Sequence, residues 1–182
     1  MSKGLMVVVV VLVLGAASCF LTIMGVSNSC ISQENGIDYQ YDTNKSALAG
    51  YANRILDMVQ VPKMAKDQIL EITKAAIQGR YGEKGAQAVF VAIREQNPTV
   101  DASLYRTLMQ SMEAGRTSFD ADQKQLLDKC RAYKTYYQQF PNSLVAGMMG
   151  YPKFDQTKCT PVTTEQTETD FKNKRTGPLQ IQ

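Results

Sequence analysis

Histidine and tryptophan are both missing from this 182-residue chain. Without histidine the commonest general base and the commonest metal ligand are gone, and with them every Ser-His or Cys-His dyad. The four cysteines form no Cys-x-x-Cys pair, which removes the usual zinc and thioredoxin-type spacings. No sign of charge dominates: 20 basic residues face 17 acidic ones. Setting aside Lys3, which precedes the first apolar run, leaves 19 against 17 in residues 27–182. That balance carries no electrostatic footprint for nucleic acid, and no nucleic-acid partner is expected. Strand-type alternation is lacking, as is any internal repeat of solenoid length.

What is present begins with residues 4–26, a stretch of 23 residues with no charged side chain. As a helix it reaches roughly 34 Å, enough for a hydrocarbon core of about 30 Å. Its run of valines, Val7 to Val11, is poor helix material in water, but in lipid the backbone must satisfy its own hydrogen bonds and helix wins. Two rival readings compete. Residues 5–14 followed by Gly15-Ala16-Ala17-Ser18 resemble a signal peptide with its cleavage site, and Ala16-Ala17-Ser18-Cys19 resembles a weak lipoprotein box. Against both, Phe20, Leu21, Ile23 and Met24 carry the apolar run past the would-be cut. An uncleaved single-pass anchor in contact with membrane lipid is therefore expected.

After Lys3 no Lys or Arg appears until Lys45, while Glu34, Asp38 and Asp42 do. The positive-inside rule then places the amino terminus in the cytoplasm. The rest of the chain would stand on the periplasmic or extracytoplasmic side of the inner (cytoplasmic) membrane. Cys30, Cys130 and Cys159 would lie in that oxidising space. A Cys130–Cys159 bridge that leaves Cys30 over, and a fully reduced set, are both compatible with the sequence.

Beyond the short segment 1–3 and the anchor 4–26, residues 27–40 are polar and read as a juxtamembrane linker. From there the pattern is helical. A first helix is predicted over about residues 41–60, with Tyr41, Leu48, Ala52, Ile55 and Val59 on one stripe. Pro62 stops it and suits the first turn of a second, to about residue 78, with Ala65, Ile69, Ile72 and Ala76 inward. A third, about 83–96, turns Ala86, Phe90 and Ile93 inward and ends at Asn97-Pro98. Asp101 can cap a fourth, about 102–139. Its stripe is the longest: Leu104, Leu108, Met112, Gly115, Phe119, Asp122, Leu126, Cys130, Tyr133, Tyr137. Gly115 and Asp122 are its soft points, Asp122 marking a kink or a buried bond to Arg80 or Arg94. A short amphipathic turn, 143–149, follows. The tail, 155–182, is polar and reads as extended or disordered. The fold class is thus all-α: one transmembrane helix, then an antiparallel bundle of about four helices, one of them long, over residues 41–154.

The glycine-rich stretch QGRYGEKGAQ, residues 78–87, lacks the spacing of a P-loop or a dinucleotide loop, and helix rather than strand precedes it. It reads as a helix end, with Gly79 or Gly82 at positive φ.

This order of features resembles the LemA family, in a divergent branch. The resemblance rests on GIDYQYDTNKSALAGY, QVPKM, QGRYGEKGAQA, EQNP, EAGRTSFDADQKQLLDKCRAYKTYYQQFP and SLVAGMMGYPKF, which together span residues 36–154. The chain departs from ordinary members in lacking an early tryptophan. The resemblance implies an antiparallel helical bundle tethered to the inner membrane. It implies no particular reaction, and none of its motifs is catalytic.

Three classes of function follow. The first is a non-enzymatic, membrane-anchored scaffold that assembles with itself or with an envelope protein partner. Gly15 and Cys19, four apart in the anchor, would let helices approach closely if cysteine counts as small. Tyr133, Tyr136, Tyr137 and Phe140 read mainly as core, with Tyr136 off the stripe and the best placed for an exposed contact. The second is a hydrolase. Asp120 and Asp122 do not face each other on a helix, and no nucleophile and base are paired. No catalytic residue, cofactor or metal site is expected. The third is an envelope lysis or spanning factor, which Pro62, Gly79 and Pro98 disfavour by breaking any continuous rod.

Overall fold

The structure is a computed structural model that describes residues 3–59, 63–79, 84–98, 102–162, 168 and 171–172, with the backbone alone at 63–65 and 102. Among these residues the chain is all-α. The helices are α1 (Lys3–Met58), α2 (Lys63–Ile77), α3 (Gly85–Gln96), α4 (Ala102–Gln138) and α5 (Asn142–Met149), followed by a 3₁₀ turn, Gln156–Cys159. The chain divides into two compact units. One comprises Met1–Gln40 with Leu126–Cys159, the other Tyr41–Gln125 with Thr160–Gln182. Each is described by itself.

The main departure from the sequence reading lies in α1. The linker expected over residues 27–40 is continuous α-helix, so the helix expected to begin at Tyr41 begins at Lys3. The reason is packing rather than hydropathy. Val26, Cys30, Glu34, Ile37 and Gln40 are buried at steps of four, four, three and three, the spacing that keeps one face of a helix inward. Asn44, Leu48, Ala52, Ile55 and Val59 continue the same line. Three of its ten positions are Glu, Gln or Asn, so the line is invisible to apolar counting.

In the unit Tyr41–Gln125 the core is drawn from four helices. Leu48, Ile55 and Leu56 come from α1, and Ile69, Ala76 and Ile77 from α2. Val89 and Ile93 come from α3, and Leu108, Met112 and Phe119 from α4. Burying each large side chain contributes about 1.5–3 kcal/mol. The innermost line of α3 is Gly85, Val89 and Ile93, with Ala86 and Phe90 flanking it; Phe90 meets Tyr105 edge-on at 5.0 Å between ring centroids. Gly85 faces Ala76 so closely that a Cβ would stand 3.2 Å from the Ala76 Cβ. Gly79 ends α2 at φ +83°, where an L side chain is strained. Gly82, Arg80 and the Asp101 cap lie outside the described residues.

α4 runs unbroken through Gly115 and Asp122. A Cβ on Gly115 would meet Ile77 and Tyr51 at 3.4 and 3.7 Å, so the glycine marks a close approach. The backbone carbonyl of Asp122 accepts a 2.9 Å hydrogen bond from the Asn44 side chain, while Arg94 is exposed.

In the unit Met1–Gln40 with Leu126–Cys159, the buried apolar side chains are Val26, Cys30, Ile37, Leu126, Tyr133, Val145, Ala146 and Tyr151, joined by the polar Glu34 and Gln40. α5 closes at Gly150, φ +72°, and the Tyr151 N–H donates to the Ala146 carbonyl at 2.9 Å. Of the expected extended tail, residues 156–159 form the 3₁₀ turn. Most of residues 163–182 lies outside the described residues.

Candidate functional site

The unit containing the amino terminus carries the densest polar contacts. Glu34 is 8% exposed. Its Oε1 accepts two hydrogen bonds of 2.7 Å, one from the Tyr133 hydroxyl and one from the Lys153 backbone N–H. Cys30 lies one α1 turn before Glu34 and is fully buried. The Tyr133 ring meets Tyr137 edge-on at 5.1 Å and Phe154 at 5.8 Å. Further along, Lys158 Nζ reaches Asp38 at 2.9 Å, and Cys130 is bonded to Cys159, with a Cα–Cα distance of 5.9 Å. Asp155 accepts from the Thr157 hydroxyl and N–H at 2.7 and 3.0 Å. Those two bonds hold its carboxyl below the usual range.

The electrostatics make this cluster a clasp rather than a reactive centre. Burial pushes the Cys30 thiol up; the Tyr133 hydrogen bond opposes this and the Glu34 charge adds to it. Burial, then the Tyr133–Glu34 hydrogen bond, then the charge of Glu34 push the Tyr133 phenol far above its ordinary value. Thiol and phenol therefore stay neutral at physiological pH, and a buried neutral thiol is a poor nucleophile. The contacts join α1 to α4 and to the segment after α5, across separations of 99 to 124 residues.

The residues singled out from the sequence fall as follows. Cys130 and Cys159 are disulfide-bonded; Cys30 and Cys19 are free, the first buried and the second exposed. Gly15 and Cys19 lie on the apolar part of α1, whose most hydrophobic window buries none of its residues, and a Cβ on Gly15 would meet nothing within 4 Å. Tyr136 is half-buried, and its carbonyl accepts from the Asn142 amide at 3.1 Å. Tyr133 is core, but Phe140, expected beside it, is 80% exposed. The cause is local: α4 ends at Gln138, so Phe140 leaves the helical stripe. Glu34 and Cys30 were missed because a polar segment was read as linker, and Lys153 because it takes part through its backbone N–H. The signal available was the step of four from Val26 to Cys30 to Glu34.

The other unit holds a groove of about 420 Å³ between α2, α3 and α4. Ala76, Gly85, Ala86, Met109 and Met112 give it an apolar floor, and Glu113, Arg116, Thr117 and Asp120 a polar side. Glu113 and Asp120 are seven residues apart on α4, roughly 10 Å along the axis, too far to share a proton. Among the described residues no three His, Cys, Asp or Glu side chains gather at metal-binding distance.

An all-helical bundle carrying one helix long and apolar enough to cross a membrane defines the class of protein. The LemA family model matches residues 46–171, about two thirds of the chain, and the chain belongs to the LemA family. No curated protein and no solved structure matches it.

Proposed function

We propose that this protein is a non-enzymatic, membrane-anchored scaffold of the cell envelope that assembles with copies of itself or with an envelope protein. One observation carries the reading. The apolar part of α1 is exposed along its length, and the same helix, without a break, becomes the buried face at Val26, Cys30 and Glu34. An anchor that is itself a core element holds its fold in a set orientation at the bilayer, as in-plane assembly requires. A catalytic domain that needs only tethering would do as well on a flexible linker.

The Cys130–Cys159 bond supports the oxidising, extracytoplasmic side for the bundle. The separation of Glu113 from Asp120, and the neutral, buried state of Cys30 and Tyr133, argue against a hydrolase. Within the bilayer, Gly15 and Cys19 offer a face for a second helix.

The test uses the native thiols. Cys19 is the exposed free cysteine and Cys30 is buried, so mild oxidation of membranes should join two chains through Cys19. The expected result is a covalent dimer that Cys19→Ser abolishes, together with a multimeric species after extraction in gentle detergent. A monomer by both measurements would remove self-assembly and leave the partner-binding form, to be pursued by crosslinking in membranes.

A further inference from the structure

Outside the span, the amino-terminal unit exposes Ile31 and Tyr39 singly on α1 and a group of apolar side chains on and beside α5. Leu144 and Met148, four apart on α5, are 61 and 79% exposed, and Phe140, in the turn before α5, is 80% exposed. Met149 adjoins them, while Val145 and Ala146 turn inward from α5. So much apolar surface on so short a segment marks a face with an occupant.

A hydrogen bond places that face. Ser27 Oγ and the Tyr151 hydroxyl lie 3.1 Å apart, and Tyr151 directly follows Gly150, the residue that closes α5. With residues 5–24 filling about 30 Å of hydrocarbon, Ser27 stands roughly 4.5 Å beyond its edge. That is inside the headgroup layer, which is about 5–7 Å deep on each side. The end of α5 is therefore held at the level where the span leaves the bilayer. The ammonium of Lys153 lies 4.6 Å from the centre of the Tyr151 ring. Tyrosine recurs at this depth, and lysine there reaches lipid phosphates.

We propose that α5 is a second membrane contact: its Leu144–Met148 face seats in the boundary between headgroups and acyl chains of the leaflet through which α1 emerges. The inference rests on reading α1 as crossing a bilayer. Lipid is the occupant because the Ser27–Tyr151 bond ties the face to the exit of the span, where lipid surrounds the helix on every open side. An amphipathic helix lying in the interface binds in this manner.

The chain has no tryptophan, so one substitution supplies a sole reporter. Full-length protein carrying Met148→Trp is reconstituted in phosphatidylcholine–phosphatidylglycerol vesicles whose acyl chains are brominated at shallow or deep carbons. Phe20→Trp, in the span, serves as the second reporter, and N-acetyltryptophanamide in the same suspension marks fully hydrated emission. The expected result is a blue shift and quenching of Met148→Trp, stronger with shallow than with deep bromines, and quenching of Phe20→Trp. A blue shift without quenching at Met148 would mean that a second copy or another protein covers the face, and would overturn the proposal. Hydrated, unquenched emission there, with Phe20→Trp quenched, would overturn it and leave the anchor standing. An unquenched Phe20→Trp would remove the anchor, and the inference with it. Leu144→Trp reports on the same face should Met148→Trp fail to fold.

Discussion

Removing the Tyr133 hydroxyl tests the clasp most directly. In Tyr133→Phe the ring, its burial and its contacts with Tyr137 and Phe154 are kept, and one 2.7 Å hydrogen bond to Glu34 is lost. Hydrogen bonds to charged groups contribute about 1.5–3 kcal/mol. Glu34 Oε1 keeps the Lys153 N–H at 2.7 Å, so its acceptor is not orphaned and the lower end, about 1.5 kcal/mol, is expected. Glu34→Leu is the harsher change. It strips the acceptor from two donors at once, the Tyr133 hydroxyl and the Lys153 N–H. At about 1–3 kcal/mol for each stranded group, the expected cost is roughly 2–6 kcal/mol. The double variant should cost less than the sum by about 1 kcal/mol or more, because Phe removes one stranded donor. The assay is hydrogen exchange by mass spectrometry of the full chain in detergent across a guanidinium series. Peptides from Met1–Gln40 and Leu126–Cys159 are read separately from the rest. Costs that add to within about 0.5 kcal/mol would refute the reasoning, as would a Tyr133→Phe variant as stable as its parent.

The Cys130–Cys159 bond closes a separation of 29 residues, which on chain-entropy grounds contributes about 3.5 kcal/mol. Guanidinium midpoints with and without dithiothreitol measure this, and a paired Cys130→Ser, Cys159→Ser chain should match the reduced protein; unchanged midpoints would show the bond to be idle. Alkaline pH should loosen the same unit. Cys30 and Tyr133 are both raised by burial, so their contribution is complete below the ordinary thiol and phenol values, roughly 8.5 and 10. It is lost as pH climbs past those values, because the unfolded chain releases protons that the folded chain retains. Cys30→Ala with Tyr133→Phe should flatten that decline in a pH series of exchange rates, and an unaltered slope would place its cause elsewhere. In the other unit, Gly85→Val puts a branched side chain where even a Cβ stands 3.2 Å from Ala76, and should cost about 1–3 kcal/mol by overpacking. A thermal melt equal to the parent's would show that α2 and α3 have room to separate.

How far the sequence discloses this structure depends on which face of each helix is apolar. α4 was legible because Leu108, Met112, Phe119, Leu126 and Tyr133 are large, apolar and buried at a helical period. α2 was legible for the same reason, and Pro62 and Asn97-Pro98 punctuated the chain where helices end. The start of the bundle was not legible. Residues 27–40 bury Cys30, Glu34, Ile37 and Gln40, and a helix whose inner face is half polar leaves only a faint hydrophobic period. Glu34 is stable there only because Tyr133 and Lys153, about a hundred residues later, supply its donors, and no local pattern contains that information. Phe140 was misplaced for the opposite reason: an aromatic residue in step with a stripe was carried past the end of its helix at Gln138.

With α1 read as crossing a bilayer, as proposed above, its unbroken course makes bilayer thickness a variable that the folded protein feels. A long apolar helix meets a thin bilayer by tilting and a thick one by standing upright. Where a flexible joint follows the span, that rotation dies in the joint. Here the helix passes from Met24 to Glu34 as one α-helix, and Glu34 is fastened to Tyr133 and Lys153. A change in lipid chain length is therefore delivered to the clasp as a change of angle, and a membrane of altered thickness re-aims whatever surface the amino-terminal unit presents to its neighbours.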